Sequence, residues 1–200
     1  MRSVIVLACA LAAATSTAPR ALAAEAGPLT LTSARVSLDG TSNIHAYTAS
    51  TTDVRVTAIE LGGTPAGDVL AYVLEPGALK GFDIVIPAAT LKSDKSDLNK
   101  NMHKALKVQE HAEIGFRLRA LEAAGGAYRG LGTLTIAGVE KEVTLNLQIE
   151  RKGAALAVTG TTDLLMTDYG ITPPKAMLGM LKTNPKVQIR IDLLLGTSLS

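Results

Sequence analysis

Apolar and polar positions alternate with a period of two along much of the chain. Phe82, Ile84 and Ile86 alternate with Asp83 and Val85, and Ile114, Phe116 and Leu118 face away from Glu113, Arg117 and Arg119. Val143, Leu145, Leu147 and Ile149 are interleaved with Thr144, Asn146, Gln148 and Glu150. Val187, Ile189, Ile191 and Leu193 are offset in the same way from Gln188, Arg190 and Asp192. One apolar and one polar face per segment is the mark of antiparallel strands covered on one side. Gly62-Gly63, Gly125-Gly126, Gly138 and Gly153 punctuate the runs, and Ala137-Gly138-Val139-Glu140 suits a tight hairpin. About eight strands at this spacing predict an all-β, antiparallel barrel or sandwich. No linker rich in Pro, Ser and Gly divides it, so one domain is expected.

Two stretches switch to helical spacing. From about Asp97 to Gln109, Leu98, Met102, Ala105 and Leu106 fall on one face and Lys100, Lys104 and Lys107 on the other, with Ser96 or Asp97 as N-cap. Pro174 to Leu181 opens with Pro-Pro, which suits a helix start, and carries Met177, Leu178, Met180 and Leu181. Gly179 weakens this second helix by about 1 kcal/mol relative to Ala, so it would depend on packing.

The first 24 residues read differently. Met1-Arg2-Ser3 is a short positive start, Val4 to Ala14 is an apolar run of 11 residues, and Ala21-Leu22-Ala23 offers a small-x-small cleavage site. This is the layout of a secretory signal peptide, and as a helix the run would span ~16 Å against a hydrocarbon core of ~30 Å. Residues 1–24 are therefore expected to be a cleaved leader and residues 25–200 an exported, periplasmic domain. Cys9, the single cysteine, sits in that leader. The segment Val6-Leu7-Ala8-Cys9 only faintly resembles a lipoprotein signal, with five apolar residues ahead of it.

The leader also changes the charge reading. The whole chain has 20 Lys plus Arg against 18 Asp plus Glu, but Arg2 and Arg20 leave with the leader, and the remaining 18 bases balance the 18 acids. The exported part is neutral, free of cysteine and poor in aromatics, so neither a disulfide scaffold nor nucleic acid is expected. There is no glycine-rich phosphate loop, nucleophile elbow or His-Glu-x-x-His. His45, His103 and His111 are scattered. Asp163 and Asp168 fit solvated loop ends better than a catalytic carboxylate pair. No enzyme activity, metal or cofactor is expected.

Three segments resemble the YceI-like family of exported lipid-binding proteins. The first is Leu38-Asp39-Gly40-Thr41-Ser42-Asn43-Ile44-His45-Ala46-Tyr47-Thr48. The second runs from Leu91-Lys92-Ser93 through Leu98-Asn99-Lys100-Asn101-Met102-His103 to Ile114-Gly115-Phe116, followed by Gly132-Thr133-Leu134-Thr135-Ile136-Ala137-Gly138-Val139. The third is Met166-Thr167-Asp168-Tyr169-Gly170-Ile171-Thr172-Pro173-Pro174, continuing to Leu181-Lys182-Thr183. The chain departs from the family pattern at Tyr47, where that branch usually carries Trp.

The resemblance implies an eight-stranded, extended lipocalin-like barrel around a long apolar tunnel that holds a polyisoprenoid lipid, of quinone or prenyl-phosphate type. By the residues alone, the apolar stripes fit a filled core better than a pocket, and the resemblance is what favours the tunnel. The tunnel reading makes Tyr47, Phe82, Ile84, Leu98, Met102, Leu106, Ile114, Phe116, Met166, Tyr169, Met177, Met180 and Leu181 the lipid-contacting residues. It makes the two helices a lid, with Lys100, Lys104 or Lys107 meeting the head. Competing readings are an enzyme acting on such a lipid, which would need His45 or Asp168, and a filled-barrel stress module without ligand. Transient contact with a membrane surface and a homodimer are both compatible with the sequence.

Overall fold

The computed structural model describes residues 28–176 and 180–197. The alternating runs form β1 (Leu29–Ser42), β2 (Ala46–Thr51), β3 (Arg55–Leu61), β4 (Leu79–Pro87), β5 (Glu113–Ala124), β6 (Ala127–Ile136), β7 (Val139–Lys152), β8 (Ala155–Leu165) and β10 (Leu181–Thr197), with a two-residue β9 (Lys175–Ala176) beside β10. The sheet order is β2-β1-β10-β8-β7-β6-β5-β4-β3, antiparallel throughout. Val36 of β1 and Val56 and Ile59 of β3, from near opposite ends of that order, meet in one apolar cluster. The sheet therefore curls round its own inner face, with β2 and β3 as its edges. Nine strands lie in this path where about eight were expected. The extra count comes from the amino-terminal strands, whose Thr, Ser and Ala residues give little polar–apolar contrast, and from bulges at Leu31/Ser33 and Gly40/Ser42 that shift the register of β1.

The register puts the alternating stripes face to face. Phe82 pairs with Leu118, Ile84 with Phe116 and Ile86 with Ile114, and Leu38 and Val36 pair with Ile189 and Ile191. Two apolar clusters result, one centred on Leu118, Leu147, Leu156 and Leu195 and the other on Leu91, Leu106, Leu164 and Val187, with Ile114 and Ile189 touching both. The β6–β7 hairpin closes through Ala137 and Gly138, with φ of 49° and 78°, the two positive φ values of a type I′ turn.

Two short helices meet the ends of the curled sheet. α1 (Val69–Tyr72) was not foreseen, being too short to show a period. Its N-cap Asp68 accepts from the Leu70 and Ala71 amides and pairs with Arg151, and Leu70 and Val73 insert into the first cluster. α1 thereby closes that end. α2 (Ser96–Ala105) lies at the other end, beside the second cluster. It stops four residues before the expected Gln109. Lys107 takes φ 53°, and the Val108 and Lys107 amides bond back to His103 and Lys104 carbonyls at 3.2 and 3.1 Å, a Schellman stop. Its N-cap is Lys95, without a side-chain cap, rather than Ser96 or Asp97.

Both described ends of the helix expected over Pro174–Leu181 are extended, while residues 177–179 lie outside the described residues. Lys175 and Ala176 pair instead with Lys182 and Leu181, and the Thr183 amide bonds to the Pro174 carbonyl at 3.2 Å. A short hairpin satisfies these backbone groups across strands, which outweighs the weak helical preference of a segment holding Gly179.

Candidate functional site

Beneath α2 and the β9–β10 hairpin lies a cavity of about 580 Å³, within the range of about 300–1,000 Å³ typical of small-molecule sites. Its inner wall is apolar, with Leu38, Met102, Leu106, Leu164, Val187 and Ile189. Its rim is polar, with Ser42, His45, Asp94, Lys95, Ser96, Asn101 and Thr183. Deeper in the sheet two narrow voids follow. The first, about 100 Å³, shares Leu38, Leu106, Ile136 and Ile189 with the cavity. The second, about 80 Å³, shares Ile84, Phe116, Leu145 and Ile191 with the first and reaches Val73 and Leu74 just beyond α1. The three spaces follow one another from the rim to the closed end. Gly130, Gly132 and Gly160 sit among these walls. A Cβ on Gly160 would meet Leu147 Cδ2, and one on Gly130 would lie 3.1–3.2 Å from Leu147 and Leu118.

Short polar links hold the cover in place. Asn99 accepts from the Ser93 amide at 2.7 Å and donates to the Ser93 carbonyl at 2.9 Å, and His103 Nε2 donates to the Leu91 carbonyl at 2.8 Å. These bonds fix α2 to the loop before it, so Leu98, Met102 and Leu106 face the cavity. Opposite, the Ser42 hydroxyl accepts from the Ile44 and His45 amides at 3.3 and 3.1 Å, which turns the β1–β2 corner tightly. Asn43 then reaches across to the hairpin, donating from Nδ2 to the Met180 carbonyl at 2.9 Å and accepting the Lys182 amide at 2.8 Å. Asn43 was quoted within the first motif, but nothing in the sequence signalled its role as a clamp.

The residues singled out from sequence are spread along the three spaces. Tyr47, Leu98, Met102, Leu106, Met166 and Tyr169 line the rim cavity. Ile84, Ile114 and Phe116 line the middle void, and Phe82 the innermost. Met180 lies outside, 67% exposed beside Asn43, because it tops the hairpin instead of the inner face of a helix. Met177 and the side chain of Leu181 lie outside the described residues. The expected lysines are also displaced. Lys100 pairs with Asp97 at 3.5 Å on the solvent side of α2, Lys107 forms the helix stop, and Lys95 is the base that borders the cavity. Sequence spacing put the cationic face of α2 at the mouth, but a helix that buries Met102 and Leu106 turns that face to water.

Two tyrosines have shifted acidity. Burial raises the Tyr47 phenol above its usual value. Burial first, and then the neighbouring Asp168 carboxylate, push Tyr169 up to about 12. The Tyr169 hydroxyl is enclosed without a hydrogen-bond partner. His45 borders the rim cavity, whereas Asp168 faces a separate shallow groove with Asp163 and Lys186, so these two groups do not share a site. Asp163 bonds to Lys186 at 2.8 Å and Gln188 at 3.2 Å, and the Lys186 ammonium first, then the Gln188 amide, lower its pKa below the usual carboxylate value. Among the described residues no three His, Cys, Asp or Glu side chains gather as a metal site, and no helix is long and apolar enough to cross a membrane.

A family model described as the YceI-like domain matches residues 29–195. No curated protein matches the chain. Among solved structures, BcnA of Burkholderia cenocepacia is similar with a TM-score of 0.64 and 17% identity, over 82% of this chain and 96% of that one. A polyisoprenoid binding domain from Saccharophagus degradans, implicated in plant cell wall breakdown, has a TM-score of 0.61 and 13% identity, over 86% and 99%. The YCEI protein of Campylobacter jejuni has a TM-score of 0.57 and 14% identity, over 80% and 85%. At these identities the three structures share the fold.

Proposed function

The chain belongs to the YceI-like family, and on that premise we propose that it is a non-catalytic carrier of a polyisoprenoid-type lipid. The reading places it in the periplasm after removal of residues 1–24. The observation that carries it is the polar-rimmed cavity continuing into apolar voids along the inside of the sheet. A prenyl tail entering that space gains about 0.8 kcal/mol for each CH₂ withdrawn from water, so no reactive group is needed for tight binding. The similarity to a polyisoprenoid binding domain supports the same ligand class. Met102 and Met166 in the wall suit a flexible branched chain, because an unbranched thioether adapts its shape.

Ile44, Leu165 and Met180 are the exposed large apolar side chains among the described residues. Leu165 borders the cavity, and Ile44 and Met180 flank the Asn43 clamp at its edge. Transient contact of this rim with a membrane would let a lipid pass without crossing water. The narrowness of the inner voids favours a second reading for the far half, in which it stays filled and only the rim cavity takes a ligand.

Native mass spectrometry and solvent extraction of the purified exported protein test the proposal. The expected result is a retained or readily acquired prenyl lipid, with affinity rising with chain length. Affinity that stops rising after the first few prenyl units supports the filled far half. No retained lipid, and no uptake of an offered polyprenyl quinone or polyprenyl phosphate, refutes lipid carriage.

A further inference from the structure

The rim cavity holds one polar side chain whose placement no fold requirement explains. Tyr47 pairs across the strands with Gly40, and its ring lies flat over that glycine. A Cβ on residue 40 would sit 2.8 Å from Tyr47 Cε2 and closer still to Cζ and Oη. The absent side chain at Gly40 thus lets the phenol lie along the cavity wall. Of the other polar residues of the lining, Tyr169 keeps its hydroxyl fully enclosed, beyond a ligand's reach, and the rest are paired or sit at the outer edge. The Ser42 hydroxyl donates to the His45 carbonyl at 2.9 Å, and His45, Asp94, Lys95, Ser96, Asp97 and Asn101 are exposed. Tyr47 is half-buried, borders the cavity and has no hydrogen-bond partner among the described residues. It is also not among the fully enclosed polar atoms, so a ligand can reach its hydroxyl.

The charges beside it bear on what it would meet. Asp94, Lys95 and Asp97 border the cavity, two acids against one base. Phosphate sites gather several cations or a bidentate arginine, and the described residues of this lining offer neither. A neutral oxygen that accepts one hydrogen bond fits both the free phenol and the local charge. Burial keeps the phenol protonated well above neutral pH, so it remains a donor.

We propose that the Tyr47 hydroxyl, laid against Gly40, donates a hydrogen bond to an uncharged head-group carbonyl, which makes Tyr47 the residue that selects a quinone-type lipid over a prenyl phosphate. The inference rests on the lipid-carrier reading and deepens it. Tyr47 acts on the head, and the apolar wall holds the tail whatever head it carries.

The test is a competition read by native mass spectrometry, with three probes of one chain length: a polyprenyl quinone, the hydrocarbon lacking the head, and the polyprenyl phosphate. The unaltered protein is expected to prefer quinone over hydrocarbon by about 3- to 10-fold, the span of one net hydrogen bond, and to prefer quinone over phosphate. Tyr47→Phe should bring the quinone-to-hydrocarbon ratio close to one, through a loss of quinone uptake larger than any change in hydrocarbon uptake. Gly40→Ala, which displaces the ring, should lower the ratio similarly, and combining it with Tyr47→Phe should add no further loss. A ratio that Tyr47→Phe leaves intact, or a protein that takes phosphate ahead of quinone, overturns the inference while leaving lipid carriage standing. Failure to take up any of the three probes overturns both.

Discussion

Gly132→Ala should destabilise the protein, while Gly115→Ala, one strand away, should not. Both residues lie in paired strand segments, Gly132 on β6 between Leu118 and Val143 and Gly115 on β5 opposite Thr135. They differ in what a methyl group would meet. On Gly132 it would fall within the contact radius of the Arg117 carbonyl oxygen and 2.7–2.8 Å from Phe116 Cζ and Cε2. On Gly115 its nearest neighbours are Thr135 atoms at 3.9 and 4.0 Å, an ordinary contact. Overpacking of the first kind costs about 1–3 kcal/mol, and the lower unfolded-state entropy of Ala returns about 0.4–1 kcal/mol. Taking the middle of each range, the net is about 1.3 kcal/mol lost at Gly132, a fall in Tm of roughly 3–5 °C for a domain of this size. At Gly115 only the favourable part remains, a rise of a few degrees at most. Urea and thermal unfolding followed by circular dichroism measure both. Phe116 also walls the two inner voids, so the Gly132 variant should take up long-chain lipid less well. Adding Phe116→Leu relieves the ring but not the carbonyl, and partial recovery would divide the clash between them. A Gly132→Ala protein as stable as the parent would refute the idea that this glycine is required by close approach of β5.

Lys107→Gly should stabilise, because Lys107 holds φ 53° at an exposed helix stop where glycine carries no Cβ penalty; a gain of up to about 1 kcal/mol in urea unfolding is expected. Tyr169→Phe should also raise Tm, by roughly 2–4 °C, since it removes a hydroxyl buried without a partner at a cost of about 1 kcal/mol or more; a lower Tm would mean the hydroxyl is paired in solution. For pH dependence, Arg151 first, with the Ala71 and Leu70 amides, depresses the Asp68 pKa below its usual value. A depressed carboxyl adds stability above its unfolded pKa and loses it as pH falls through the folded one. Melts of Asp68→Asn and the parent should therefore differ at neutral pH and converge as pH drops below the usual carboxylate range.

Much of the sheet was legible because it is covered on one side, so that each strand alternates sharply. The stripes of Phe82, Ile114 and Ile191 appear in the structure as facing pairs with Leu118, Ile86 and Val36. Legibility fell where that contrast failed. β1 and β2 are rich in Ser, Thr and Ala, and α1 is a single turn whose one signal is Asp68. The hairpin at Lys175 was misread because Pro-Pro before an apolar run suits either a helix start or an extended strap, and pairing with Leu181 and Lys182 decides between them. At the candidate site, apolar wall residues such as Met102 and Leu106 were readable from helical spacing. The polar parts were not. Asn43 acts through a partner 137 positions away, and Lys95 borders the cavity only because α2 begins there.

The seal at α1 has a consequence for traffic. With Leu70 and Val73 stoppering one end and Asp68 tied to Arg151, the wide mouth among the described residues is the one between α2 and the hairpin. On the proposed lipid-carrier reading, a tail that goes in through this mouth comes out through it head first. The protein would then act as a vessel and not as a conduit, releasing one dock before it meets the next, with delivery in discrete trips paced by the opening of that mouth.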